Sequence, residues 1–326
     1  MYKLARHASL RQLQVFEAIG RLKSFTRTAE ELFLTQSTVS TQVKNLTDIV
    51  GMPLVEYVGK QVRLTEAGKH LYSACQDVFR ALDNVDMAAA NLRGLQIGAL
   101  SVSAITTAKY FVPEVLGHFA QSHPGIDISL HILNREHVLQ RLANNEDDVY
   151  ILGHDPSADM NVQAEAFAPN PLYAMAGRDH PLVKQQRRLS LKELAEQPLI
   201  MREPGSGIRA ALESLFATAG LHPKVRMVLS SNEAIKHALI GQLGISVLSL
   251  HTILLEGAHG PIAVLDVEKF PIQRKWHVVR PKGKEPSVVA REFLGFLHAE
   301  GDRLTQLLNA LTANLKQPKP TKRRRG

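Results

Sequence analysis

The sequence predicts a two-part chain: a small all-α head carrying a basic hairpin and a long exit helix, then an α/β body of two similar subdomains. Three observations carry this. Up to about Leu92, apolar residues recur at helical spacing between Ser and Thr caps. From Leu95 the texture changes to short apolar runs alternating with helical stretches. The net charge of +8 is also unevenly placed. Residues 1–65 carry +4 and the tail Lys316 to Gly326 carries +6, which leaves the 250 residues between them at −2. Basic ends around a near-neutral body suit a small module that meets a polyanion, joined to a part with another task.

In the head, Ser9 precedes LRQLQVFEAIGRL, and Gln12 stands at capping-box distance. Leu10, Leu13, Phe16, Ile19 and Leu22 make this an amphipathic helix. Ser24 caps a short helix from Phe25 to about Leu32, in which Ala29 leaves room for a close crossing. Thr35 caps the next helix, QSTVSTQVKNL, whose Val39, Val43 and Leu46 form one apolar stripe. Its other positions are Gln36, Ser37, Thr38, Ser40, Thr41, Gln42 and Lys44. Ser and Thr compete with a helix for their own backbone groups, so the run is poor helix-forming material. It is either a solvated face or a surface for reading base edges and phosphates in a major groove.

The following segment favours the second reading. PLVEYVGKQVRL places two short strands around Gly59-Lys60, a basic hairpin of the kind called a wing. Thr65 then caps a helical pattern of about 28 residues with Leu71, Val78, Leu82, Val85 and Leu92 among its apolar positions. Such a helix outruns its own head, so a partner copy of the same helix is its expected cover.

The run from Leu10 to Leu71 resembles the winged helix-turn-helix head of a LysR-type transcriptional regulator over some 60 residues without a gap. The resemblance implies that Gln36, Ser37, Thr38 and Thr41 face bases, while Ser40, Lys44, Arg63 and the Gly59-Lys60 tip meet phosphates. The chain departs from the family pattern where Val55 and Tyr57 stand for a wing Phe and nearby Arg, and where Thr41 stands for a frequent Arg. Both departures leave fewer charges toward DNA.

In the body, LQIGALSVSA, IDISLHIL and VYILG read as strands, with helices TTAKYFVPEVLGHFAQSHPG and NREHVLQRLANNEDD between them. That βαβαβ order predicts a parallel sheet. A second set runs from PLYAMAG to ISVLS, and the chain closes with the strand PIQRKWHVVRPKG and a long helix from Ser287. This resembles the effector domain of the same regulators: two Rossmann-like subdomains with the fold of periplasmic solute-binding proteins. The expected layout is a DNA-binding domain at 1–65, a linker helix at 66–94 and an effector domain at 95–315. Its subdomains would take about 95–166 with 270–315, and about 167–269. The tail 316–326 is expected to be disordered.

Ligands in such sheets sit at strand carboxyl ends, near helix N-termini. That rule selects Ser103, Thr106 and Thr107; Asn134 and Arg135; Gly153 and His154; Arg202 and Glu203; Gly205, Ser206 and Gly207; and Asn232 and Glu233. Singly these are ordinary caps, turns and surface pairs. Together, two arginines and several hydroxyls suit a carboxylate or phosphate. TAKYFVP, HPGIDISL, NREHVLQRLANNEDDVYILG and FAPNPLYAMAGRDHPL further resemble the CbbR branch, which controls Calvin-cycle carbon-fixation genes and answers to phosphorylated sugars or other central metabolites.

Several classes are disfavoured. One cysteine, Cys75, allows no internal disulfide, and no His/Cys/Asp/Glu group has metal-ligand spacing. No nucleophile elbow, phosphate-binding loop or dinucleotide fingerprint occurs, so neither catalytic residues nor a cofactor are expected. No secretory leader or membrane span is legible, which points to the cytoplasm. The expectation is a homo-oligomeric regulator, a dimer building to a tetramer, whose partners are double-stranded DNA, a small anionic metabolite and RNA polymerase. The alternatives are a regulator of another pathway with a carboxylate effector, a solute-binding protein, or an enzyme using the cleft.

Overall fold

The computed structural model describes residues 3–59, 61–92 and 97–315. The expectations for Lys60, for the domain start at Leu95 and for the tail from Lys316 lie outside those residues. The chain divides into two compact units, one built on residues 1–93 and the other on 94–143 and 147 onwards.

The first unit opens with a short helix α1 (Lys3–His7), which the sequence pattern had not indicated. Helices α2 (Leu10–Leu22), α3 (Phe25–Glu31) and α4 (Gln36–Val50) follow, capped by Ser9, Ser24 and Thr35. Ser9 and Gln12 close the reciprocal capping box. Phe33, in the turn between α3 and α4, adopts a left-handed φ of 53° and is 96% exposed. Val15, Ile19, Ala29, Val39 and Val43 form one core cluster, and Phe16, Leu46, Leu54, Leu71 and Cys75 form another. Each large aliphatic buried here contributes about 1.5–3 kcal/mol against leaving it in water. The wing is β1 (Val55–Val58) paired antiparallel with β2 (Gln61–Leu64). Helix α5 (Glu66–Leu92) begins so close to the wing that a Cβ on Gly68 would lie 2.0 Å from the Leu54 carbonyl oxygen.

The second unit holds two five-stranded mixed sheets. In the first, β3 (Gly98–Ile105) pairs parallel with β4 (Ile126–Leu133) and β5 (Val149–Leu152). The predicted helix after β3 is two pieces: a 3-10 turn at Thr106–Tyr110, then α6 (Val112–Ser122), which carries Pro113 in its first turn. Helix α7 (Arg135–Ala143) joins β4 to β5. The sheet is completed by β6 (Val162–Pro169), unforeseen from the sequence, and by β12 (Lys275–Pro281), which lies between β5 and β6 and runs antiparallel to both.

The second sheet has the order β11-β7-β10-β8-β9. Its elements are β7 (Leu172–Gly177), α8 (Pro181–Gln185), α9 (Leu191–Glu196), β8 (Leu199–Arg202), α10 (Gly207–Thr218) and β9 (Val225–Leu229). Helix α11 (Asn232–Ile240), β10 (Ile245–Ser249) and β11 (Ile262–Val264) close it. The chain then returns through β12 (Lys275–Pro281) to α12 (Val288–Leu315). Two crossovers therefore join the subdomains, and they pair with each other: Asn170 N–H donates to the Arg274 carbonyl at 2.7 Å, and Leu172 bridges Ile272. Helix α12 serves both subdomains. Phe293 meets Phe119 edge-on in the first, while Leu308 and Leu311 join the core around Met175 and Leu239 in the second.

Candidate functional site

Two surfaces could carry function, one in each unit. On α4 the buried stripe Val39, Val43 and Leu46 fixes which face remains outward. Gln36, Ser37, Ser40, Thr41 and Lys44 are exposed, and Thr38 is half-buried. Thr35 ties the first turn together: its Oγ1 accepts from the Thr38 N–H at 3.2 Å and lies 2.9 and 2.8 Å from the Ser37 and Thr38 hydroxyls. The Thr41 hydroxyl donates to the Ser37 carbonyl at 2.9 Å, which satisfies its proton within the helix and leaves its methyl and lone pairs for a partner. No acid stands in the first turn, so the helix N-terminus keeps its partial positive charge. Arg63, on the wing, is exposed.

Along α5 the apolar positions divide. Leu71 and Cys75 are buried in the head, and burial pushes the Cys75 thiol up to about 12, so it stays protonated. Beyond them Val78, Leu82 and Val85 are 37%, 43% and 65% exposed.

In the second unit a pocket opens between the subdomains where both crossovers pass. It is lined by Thr106 and Thr107, by Arg135, Gly153 and His154, and by Arg202, Glu203, Ser206 and Gly207. Ile105, Asn170, Ile208 and Arg274 complete the lining, and none of these four was selected by the strand-end rule. Gly207 begins α10, and Ser206 makes no side-chain cap there. Peptide N–H groups at that helix start are thus available to an anion.

The charges in this pocket are unequal in state. Arg202 is 3% exposed and already neutralised: Nε and one terminal nitrogen bind Glu203 at 2.8 and 2.9 Å. Its remaining donors reach Thr106 at 3.1 Å and Asn232. Arg274 donates to the Gly207 carbonyl at 2.8 Å, and Arg135 donates to His154 Nε2 at 3.1 and 2.8 Å. Among the described residues no carboxylate lies within ion-pairing distance of either. Burial, and then the charge of Arg135, pulls the Arg274 guanidinium down to about 10. Burial, and then Arg135 and Arg274, holds His154 at about 4. Two unpaired, partly desolvated arginines at a helix N-terminus form an electropositive site.

Five other expected residues take different places. Ser103 is buried behind β3, where its hydroxyl donates to Asp147 at 2.7 Å and accepts from Arg141 at 3.0 Å. It lies two residues inside β3, on the same face as Ile105, and at that depth it meets Arg141 of α7 and not the pocket. Asn134 caps α7, accepting from the His137 N–H at 2.9 Å. Gly205, at a left-handed φ of 83°, lines a shallower hollow beside Glu136 and Leu139. Asn232 and Glu233 fasten the subdomains instead of lining the pocket. Asn232 donates to Thr107 at 3.4 Å, and Glu233 accepts from the Tyr110 hydroxyl at 2.6 Å while pairing with Lys236 at 3.2 Å.

Among the described residues no three His, Cys, Asp or Glu side chains gather to hold a metal ion. None of the described helices is long and apolar enough to cross a membrane.

Comparison with known proteins gives a family match in each unit. Residues 10–69 match the family model described as bacterial regulatory helix-turn-helix protein, lysR family, and residues 93–302 match the LysR substrate binding domain. The HTH-type transcriptional activator CmpR of Synechocystis sp. is 50% identical over 300 residues, covering 92% of this chain and 98% of CmpR. The RuBisCO operon transcriptional regulator of Acidithiobacillus ferrooxidans is 48% identical over 294 residues, covering 90% of this chain and 94% of that one. The regulatory domain of Synechocystis PCC6803 CcmR, solved in complex with 2-PG (2-phosphoglycolate), is 43% identical with a TM-score of 0.60. That comparison covers 63% of this chain and 98% of the domain.

Proposed function

The chain belongs to the LysR family of bacterial helix-turn-helix regulators, and from that premise we propose that it controls carbon-fixation or CO2-concentrating genes in answer to a small phosphorylated anion. The protein is a regulator and not an enzyme, and it works in the cytoplasm. Its head docks α4 in a major groove, where Gln36, Ser37, Thr38 and Thr41 meet base edges and Ser40, Lys44, Lys60 and Arg63 meet phosphates. The outward stripe Val78, Leu82 and Val85 of α5 is covered by the same helix of a second copy, and pairs of dimers build the tetramer. RNA polymerase is the further partner that gives promoter binding its effect.

The observation that carries the effector reading is the pair Arg135 and Arg274, held without acids where α10 begins. An ionised phosphate offers the several acceptor oxygens those guanidinium forks require. Because both crossovers pass this pocket, an anion drawn to Arg274 biases the angle between subdomains. Each kcal/mol of preference for one angle is about a fivefold shift in the population of the two arrangements.

Calorimetry with 2-phosphoglycolate and with glycolate, which keeps the carboxylate and lacks the phosphate, tests the ligand class. Tighter binding of the phosphorylated compound, abolished in Arg135→Ala, is the expected result. Equal binding of both would move the protein to a carboxylate effector and away from carbon fixation. Turnover of either compound would contradict a purely regulatory pocket.

A further inference from the structure

Among the described residues His154 is the one titratable ring lining the effector pocket, and its hydrogen bonds fix its state. Arginine has donors only, so a nitrogen accepting from both arms of the Arg135 fork must be unprotonated. The ring is therefore neutral, with its proton on Nδ1. The groups facing it are Arg135 from α7, Arg274 from the crossover before β12, His277 on β12 and Asp155 beside it. Three of the four oppose a charge on the ring. Only the exposed Asp155 favours one.

Resting on the reading that this pocket takes a phosphorylated anion, we propose that His154 is a specificity-determining residue: it yields the Arg135 fork to the effector's oxygens, takes up a proton from solvent, and becomes the third cation of the bound site. Two acceptors cannot share one edge of a guanidinium, so an oxyanion that takes the Nε and Nη2 donors of Arg135 must displace the His154 Nε2. The displaced nitrogen then lies beside negative charge and not against a bare guanidinium. That reverses the contribution of the Arg135 charge, and the oxyanion must also offset burial, the larger cause of the ring's neutrality. Arg135, Arg274 and a protonated His154 together match a phosphate dianion bearing a second acidic group. A simple carboxylate would leave cations unmatched and gain little from the ring.

The test is calorimetry of the full chain with 2-phosphoglycolate at pH 6, in two buffers of different ionisation heat, which counts protons taken up. If the ring moves from about 4 to its ordinary 6.5 on binding, wild type takes up roughly three quarters of a proton more than His154→Gln. The glutamine oxygen can still accept from Arg135, and subtracting the variant removes the ligand's own titration. Equal proton counts would overturn the role of His154 and leave the effector reading standing, whereas no binding by wild type would overturn both. A second measurement needs no variant. Sulfate keeps its charge from pH 5 to 8, and its affinity for wild type should rise roughly twentyfold from pH 7 to pH 5. A flat profile for bound sulfate, or no sulfate binding, would contradict the proposal.

Discussion

Substituting Arg274 by methionine separates what the pocket costs the fold from what it does for the ligand. Burial and the neighbouring Arg135 bring this guanidinium from 12.5 down to about 10. At pH 7 it is protonated in the folded and unfolded chain alike, so the lowered value is a penalty on the folded state that would be relieved only as pH rises past 10. At about 1.4 kcal/mol per unit, that penalty is on the order of 3 kcal/mol. Methionine removes the charge and keeps most of the volume. It also loses the bond to the Gly207 carbonyl, about 1 kcal/mol. The net expectation is a body more stable by about 1–2 kcal/mol, a rise of a few degrees in its melting temperature. Anion binding moves the other way: each charge-assisted bond lost is about 1.5–3 kcal/mol, so affinity for 2-phosphoglycolate falls at least tenfold. Thermal unfolding and calorimetry on the same preparation read both effects. A variant clearly less stable than wild type, or one with unchanged affinity, would refute the picture of Arg274 as a destabilising, ligand-directed charge.

Three further outcomes follow from the geometry. Gly68→Ala drives a methyl into the Leu54 carbonyl and should destabilise the head by about 1–3 kcal/mol, abolishing DNA binding while the body's urea transition is unchanged. Because the Thr41 hydroxyl is bonded to the Ser37 carbonyl, Thr41→Val should keep operator preference. Thr41→Ala should lose about 1 kcal/mol on the operator and nothing on random DNA, read by fluorescence anisotropy. Leu82→Asp with Val85→Asp places charges on the outward face of α5 and should give monomers by light scattering with unaltered helix content.

The head was legible because its signals are local. Ser9, Ser24 and Thr35 each sit within three residues of the N–H they accept from, and the Val39, Val43 and Leu46 stripe is set by helical period alone. The body was legible only as far as local signals reach. Arg135, His154, Thr106 and Ser206 lie at strand ends or helix starts, where the rule for open α/β sheets looks. Asn170 and Arg274 were missed because they lie on the crossovers. Their position at the pocket depends on β12 inserting antiparallel between β5 and β6, a long-range pairing that no periodicity encodes. The one local hint was a polar residue just before Pro171 and an arginine two residues before the buried Trp276. Ser103 failed for the opposite reason. It lies two residues inside β3, too far from the strand end to reach the pocket, and its hydroxyl bonds Asp147 and Arg141. The sequence also could not tell a free arginine from a satisfied one: Arg202 proved neutralised by its neighbour Glu203, while Arg135 and Arg274 carry the unmatched charge.

The most direct test of the account is a DNase footprint on the DNA upstream of this protein's own gene, at fixed salt, with and without 2-phosphoglycolate. Protection over a pseudo-palindromic site should appear without ligand, and adding 2-phosphoglycolate should shorten it or shift its hypersensitive bands, as changed spacing or bending by paired heads requires. A clear footprint that is indifferent to the ligand in wild type would contradict the coupling of the Arg135–Arg274 pocket to DNA.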